Sequence, residues 1–183
     1  MSEENSEEKQ EYFGKYRGVV INNIDPEQRG RLQALVADVP TLFPPTWAMP
    51  CLPVGGLQNG FFSVPPIGAG VWVEYEQGDP DYPIWVGCYW GSAAEVPSKA
   101  KATPPGVPGI TMQTVLQNTI ILNDVPGPVG GIVLQSASGA SIIVNDTGVY
   151  IQNGKGASIL LVGPAVTIDG KPVTINKGAL VVI

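Results

Sequence analysis

Four carboxylates crowd one short stretch of the chain, Glu74, Glu76, Asp79 and Asp81. Neighbouring carboxylates are the raw material of general acid–base chemistry, one held protonated and the other ionised. The residues around them argue against that use. Val71, Val73 and Tyr75 alternate with Trp72, Glu74 and Glu76, the period of a strand with one buried face, and this alternation turns both glutamates toward solvent. Asn145, Asp146, Asp124 and Asp169 are of the type that ligates hard cations, yet they stand at turn positions, which Asn and Asp favour without any ion. The chain has no histidine, and its serines are scattered through turns with no base to activate them. The expectation is therefore a protein without catalytic residues, cofactor or metal.

Cys51 and Cys88 lie in the apolar runs "MPCLPV" and "VGCYW". They read as buried thiols of a protein assembled in the cytoplasm, with a pairing across one sheet as the alternative.

The elements that carry these residues are short. Gly 23 and Pro 18 in 183 residues, with scattered runs of Val, Ile and Thr, predict many brief strands and tight turns, hence an all-β chain. With 44% apolar and 14% charged residues the bulk should bury a core. The net charge of −6 is uneven, because Glu3, Glu4, Glu7, Glu8 and Glu11 face only Lys9 at the start. Residues 1–11 thus read as a flexible acidic tail, opposite in character to a secretory signal, and no apolar run is long enough to span a bilayer.

Composition divides the chain. Of the 14 aromatic residues only Tyr150 follows Ala102, and the seam from Ser92 to Gly109 is rich in Ala, Pro, Ser and Lys, as suits a connector. Before the seam, "GKYRGVVINNI" and "RLQALVADV" flank the turn "DPEQRG" and predict a hairpin. "WAMPCLPVG", "GFFSVP", "GVWVEYEQG" and "YPIWVGCYWG" supply further strands, enough for a small closed barrel.

After the seam the chain repeats itself every 17 residues: Gly139-Ala140-Ser141-Ile142 returns as Gly156-Ala157-Ser158-Ile159, and Val149-Tyr150-Ile151 as Val166-Thr167-Ile168. The strands "GIVLQ", "SIIVN", "VYIQN", "SILLV", "VTIDG" and "VTINK" place Ile142, Val144, Val149, Ile151, Ile159, Leu161, Val166, Ile168, Val173 and Ile175 on one face, with Gln135, Asn145, Gln152, Asp169 and Asn176 pointing outward. Each repeat is too small to bury its own apolar face, so stacking and several intertwined chains around a shared axis are expected.

"RGVVINNIDPEQRGRLQALV" and "VPPIGAGVWVEYEQGDPDYPIWVGCYWG" resemble the OB-fold domain of the phage baseplate assembly protein V family and the related VgrG-type spikes of contractile injection systems. The motif is carried most specifically by Gly78, Asp79, Pro80, Asp81, Pro83 and Ile84. The resemblance implies an OB-fold barrel at 12–91, a linker at 92–109 and an intertwined trimeric β-helix needle at 110–183. It implies a homotrimer in the tail baseplate, joined to a hub protein and passing transiently through a target envelope. Some members insert a lysozyme domain before the needle, for which 92–109 leaves no room, and VgrG proteins place a hub module before the barrel, so the short form fits a baseplate protein of a contractile phage or phage-like particle. Other members seal the tip with histidine-bound iron. Here the apolar end Ala179, Leu180, Val181, Val182 and Ile183 is expected to dock a separate PAAR-type tip protein, or to fold inward as the last turn. The alternative, an OB-fold nucleic-acid-binding module using Trp72, Trp85, Tyr89 and Trp90, lacks a basic groove beyond Lys15, Arg17, Arg29 and Arg31.

Overall fold

The structure is a computed structural model that describes residues 10–175 and 180–182. The acidic tail at 1–9 and the positions Asn176, Ala179 and Ile183 lie outside the described residues. The chain separates into two compact units, Met1–Glu95 and Val96–Ile183, and its described residues are all-β apart from three single 3-10 turns. No helix among them is long and apolar enough to cross a membrane.

The first unit is built on a five-stranded sheet. Strands β1 (Tyr16–Asn22) and β2 (Gln33–Val36) form the antiparallel hairpin expected from the sequence. β3 (Met49–Pro50) is followed by a separate small hairpin of β4 (Gly55–Gly56) and β5 (Asn59–Gly60), and β6 (Gly70–Tyr75) and β7 (Pro83–Tyr89) complete the set. The strand order is β2-β1-β6-β7-β3. A bridge between Leu32 and Ala48, with N–H···O distances of 3.2 and 2.7 Å, joins the residue before β2 to the residue before β3, so the two ends of that order meet. Closure of this kind removes the unpaired edges that a five-stranded sheet would otherwise expose.

Inside lie Val20, Leu32, Ala34, Val36, Val71, Val73, Tyr75 and Trp85. The alternation of β6 survives intact: Val71, Val73 and Tyr75 are buried while Trp72 and Glu74 are not. Two readings of this half need correction. "GFFSVP" is a strand only at Gly60, which pairs with Gly55; "WAMPCLPVG" keeps Met49 and Pro50 in the barrel sheet, with Ala48 in an isolated bridge and Gly55 opening the β4–β5 hairpin, its prolines supplying no N–H for a longer ladder. Both cysteines are exposed free thiols rather than buried ones. β3 pairs only with Ile84 and Trp85, so Cys88 has strand on one side alone, and Cys51, just past β3, keeps only its N–H bond to the Trp85 carbonyl at 2.9 Å.

The second unit is a meander. Strands β8 (Gly109–Gln113), β9 (Thr119–Asn123), β10 (Gly131–Gln135), β11 (Ser141–Asn145), β12 (Gly148–Gln152), β13 (Ser158–Val162) and β14 (Ala165–Asp169) pair antiparallel, each with its neighbours in sequence. β8 and β9 extend it upstream of the six strands read from sequence. One 17-residue repeat is one hairpin, β11–β12 and then β13–β14. β15 (Val173–Ile175) and β16 (Leu180–Val182) form a separate two-stranded sheet.

The repeat runs deeper than residue identity. Three five-residue turns, 114–118, 136–140 and 153–157, are made alike: the first residue's N–H bonds the fifth residue's carbonyl, at 2.9, 2.8 and 3.1 Å. In each, the first side chain accepts the fifth residue's N–H, through Thr114 Oγ1, Ser136 Oγ and Asn153 Oδ1. The fourth residue is left-handed every time, Gln117, Gly139 and Gly156, with φ of 67, 90 and 97°. This is a hairpin connection in which a short polar side chain caps the loop and a left-handed residue closes it.

Candidate functional site

The pleat of β8–β14 sorts two residues from every strand onto one face, and the register lines them up in two rows. Ile110, Leu122, Ile132, Val144, Val149, Leu161 and Val166 oppose one another in sequence across the sheet. Met112, Ile120, Leu134, Ile142, Ile151, Ile159 and Ile168 form the second row. Every member is apolar. Among the described residues nothing covers this face: Ile142, Val144, Ile151, Ile159 and Leu161 are 39–43% exposed, and Val166 on the edge strand reaches 65%.

The reverse face differs. A middle row of Thr111, Ile121, Val133, Ile143, Tyr150, Leu160 and Thr167 runs between polar rows, one of them Gln135, Ser141, Gln152, Ser158 and Asp169. The Gln152 amide donates to Ser141 Oγ at 2.9 Å. Of the residues read as outward, Gln152 and Asp169 are exposed and Gln135 and Asn145 are half-buried, while Ile121 of the same face keeps only 9% of its surface. The chain thus partly covers its reverse face and leaves the fully apolar one open. Val173, expected to continue the band, belongs to the β15–β16 sheet and borders a shallow hollow with Ile151, Ile159 and Ile168; Ile175 lies in the same separate strand.

Charge is excluded from the strands of this unit except at one end. From Gly109 to Asp169 the only charged residues are Asp124, Asp146 and Lys155 in turns and Asp169 closing β14. Of the Asn and Asp considered as cation ligands, Asn145 and Asp146 bond to the backbone of corners. Asp146 accepts the Gly127 N–H at 3.0 Å, while Asn145 donates to the Pro128 carbonyl and accepts the Thr147 N–H at 2.9 Å. Among the described residues no group of three or more His, Cys, Asp or Glu is placed to hold a metal ion.

In the barrel unit the carboxylates in and beside the motif stand at the turn between β6 and β7. Glu74 pairs with Lys15, and Glu76 opens a 3-10 turn that ends at Gly78, where φ is 80°. Asp79 Oδ1 accepts the Asp81 N–H at 3.0 Å, which bends the chain so that Pro83 begins β7 and Ile84 pairs with Glu74. A Cβ on Gly78 would stand 3.0 Å from the Phe13 ring. Pro80 lines a small recess with Thr41, Val73 and Tyr75. Of the aromatics weighed for base stacking, Trp85 is in the core, and Trp72 and Tyr89 hold the Arg17 guanidinium 5.5 and 5.4 Å from their ring centres.

One residue of consequence was not singled out in the sequence. Asp25 opens the "DPEQRG" turn and its carboxylate accepts the N–H groups of Glu27, Arg29 and Arg31 at 3.0, 2.8 and 3.2 Å, together with the Arg31 guanidinium at 2.7 Å. The guanidinium and these amides hold its carboxyl well below the usual carboxylate range. Its Asp-Pro and Gly-Arg neighbours signalled a turn; that one carboxylate gathers all the donors follows only from the fold.

Two family models match, one to each unit. Residues 16–90 match the type VI secretion system/phage-baseplate injector OB domain, and residues 109–181 match the phage baseplate V C-terminal trimerisation domain. The chain belongs to the baseplate V/VgrG-type family. A comparison with curated proteins gives no match. For this baseplate V-type chain the trimerisation domain begins at the first residue of β8, the strand with which the apolar band begins. The protein is a homotrimer and a structural component of a phage tail baseplate or an injection system.

Proposed function

We propose that the chain is the central spike of a contractile phage tail or phage-like injection device, a rigid, non-catalytic link between the baseplate hub and the membrane-piercing tip. The observation that carries this is the two-row apolar band left uncovered by its own chain. Three such faces turned toward one axis cover one another completely, and the axis then runs along the stacking direction of the strands. Six inter-strand spacings of about 4.8 Å make this shaft roughly 29 Å long, and five residues per strand make each side roughly 17 Å wide. A continuous backbone ladder along the shaft and a dry apolar centre resist axial load, which is what a passive needle driven by a contracting sheath requires.

On this reading Ile142, Val144, Val149, Ile151, Ile159, Leu161, Val166 and Ile168 form the trimer core, and the needle winds as a trimeric β-helix beyond them through Val173 and Ile175. The apolar end from Ala179 to Ile183 docks a separate tip protein of PAAR type. Assembly takes place in the bacterial cytoplasm, and the target envelope is met only during contraction. The test is mass photometry of the purified chain: three copies of 19.2 kDa give a particle of about 58 kDa. A monomer that unfolds readily in detergent would refute the spike.

A further inference from the structure

The last strand of the meander, β14, is an open edge. It pairs with β13 and, among the described residues, with no strand on its other side. The edge at the opposite end has its own chain beside it, since the Lys99 N–H bonds the Gln113 side chain of β8 at 3.2 Å. An unpaired ladder edge is a template for another strand. The next strand along the chain does not take that place. Only Gly170, Lys171 and Pro172 separate β15 from β14, a link intermediate between the two-residue and five-residue turns that fold the meander back on itself, yet β15 pairs with β16 instead. Pro172 brings no N–H to a turn and drives Lys171 toward extended backbone, so the chain departs from β14 rather than doubling back. It departs toward the apolar face, where Pro172 and Val173 line the shallow hollow with Ile151, Ile159 and Ile168.

We propose that β15 pairs with the β14 edge of a neighbouring protomer, so that the backbone ladder passes from one chain to the next at residues 170–172. Three arguments select a second copy as the occupant. The matched trimerisation domain, residues 109–181, contains both the open edge and β15, so the segment that gathers the three chains gathers three copies of each. Threefold symmetry about an axis along the stacking direction sets the three β14 edges at one height, and the level after β14 is then open on every face where a β15 arrives. The apolar face toward which Val173 turns is the one the neighbours cover, so a chain leaving β14 on that side meets another protomer and not solvent. The added strand supplies backbone hydrogen bonds between protomers, which hold the three chains against splaying where side-chain packing alone joins them elsewhere.

The inference rests on the shared-axis trimer, and the experiment separates the two. Ala165, Thr167 and Asp169 share the reverse face of β14 and are exposed, and Thr174 is the exposed residue of β15 beside Val173. The full chain carrying Cys51→Ser and Cys88→Ser is combined with Thr174→Cys and, in turn, Ala165→Cys, Thr167→Cys or Asp169→Cys, three positions that cover the possible registers of a disulfide between adjacent strands. Each variant is sized by mass photometry and oxidised mildly. The expected result is trimeric particles of which at least one variant runs as covalent dimers and trimers on a denaturing non-reducing gel, while the corresponding single-cysteine chains run as monomers. Trimeric particles whose chains are linked only within themselves, or in no variant at all, would overturn the strand exchange and leave the trimer standing; monomeric particles of the cysteine-free parent would overturn both. Hydrogen exchange of the unmodified chain gives the second readout. Protection at every β14 amide supports a strand on that edge, and fast exchange at alternate residues, the pattern of a bare edge, overturns it.

Discussion

The indole N–H of Trp85 donates to the carbonyl of Gly30 at 3.1 Å, across 55 positions of sequence. It ties β7, where the closing motif of the barrel ends, to the Gly-Arg turn that opens it. Gly30 presents that carbonyl because its φ is 77°, a conformation glycine adopts freely. Trp85→Phe should therefore destabilise the barrel by about 1–3 kcal/mol, from an unpaired buried carbonyl and a partly emptied core. Urea denaturation followed by circular dichroism measures the shift, and an unchanged midpoint for the barrel transition would show that the bond contributes nothing.

Ile142→Asp, Ile159→Asp or Val166→Asp should abolish the trimer, because each places three carboxylates in an apolar axis at an expected cost of several kcal/mol per unpaired charge. Gln152→Asp, on the reverse face, should leave assembly intact. Sizing the four variants by light scattering checks the pair of expectations, and equal tolerance at both kinds of position would sink the shared-axis arrangement.

Gln117 stands where the two equivalent turns have Gly139 and Gly156, and its φ of 67° strains any residue with a Cβ. Gln117→Gly should stabilise the second unit by about 0.5–1 kcal/mol, while Gly156→Ala should destabilise it by a similar amount. Melting temperatures of the two variants should move in opposite directions.

Acid and base should weaken the barrel at different groups. Asp25 has a folded-state pKa below its unfolded value of about 3.9, so its contribution is complete above that value and is lost as pH falls through the lower folded one. Asp25→Asn should flatten stability against pH in this acid range. Tyr75, pushed up to about 12 by burial and by Tyr16 and Tyr12, works in reverse. Its contribution is complete below the unfolded value of about 10 and is lost as pH climbs from there to 12. Tyr75→Phe should remove that loss, as read by denaturation at graded pH.

Deleting residues 179–183 tests the tip. Under the docking proposal the trimer still forms and particles lack the tip subunit, with loss of infectivity or killing. Particles with a full complement of tip protein and unimpaired activity would refute it.

The apolar band was legible in the chain because strand pleat imposes a period of two on side-chain direction, and that period depends only on the residue and its immediate neighbours. The same reasoning gave the buried Val71, Val73 and Tyr75, and the 17-residue repeat emerged as a hairpin of matching length. Equivalences made by geometry rather than by residue type stayed hidden: Thr114, Ser136 and Asn153 cap identical turns, but three different side chains do not announce one role. The gathering of donors on Asp25, the exposure of both cysteines and the loss of "GFFSVP" as a strand were set by which strands end up adjacent and where prolines interrupt a ladder. Those are properties of contacts between distant segments, and tertiary structure alone supplies them. Which of the two faces of the meander the chain leaves open was decided there too, since both carry Ile, Val and Leu and only three-dimensional packing covers one of them.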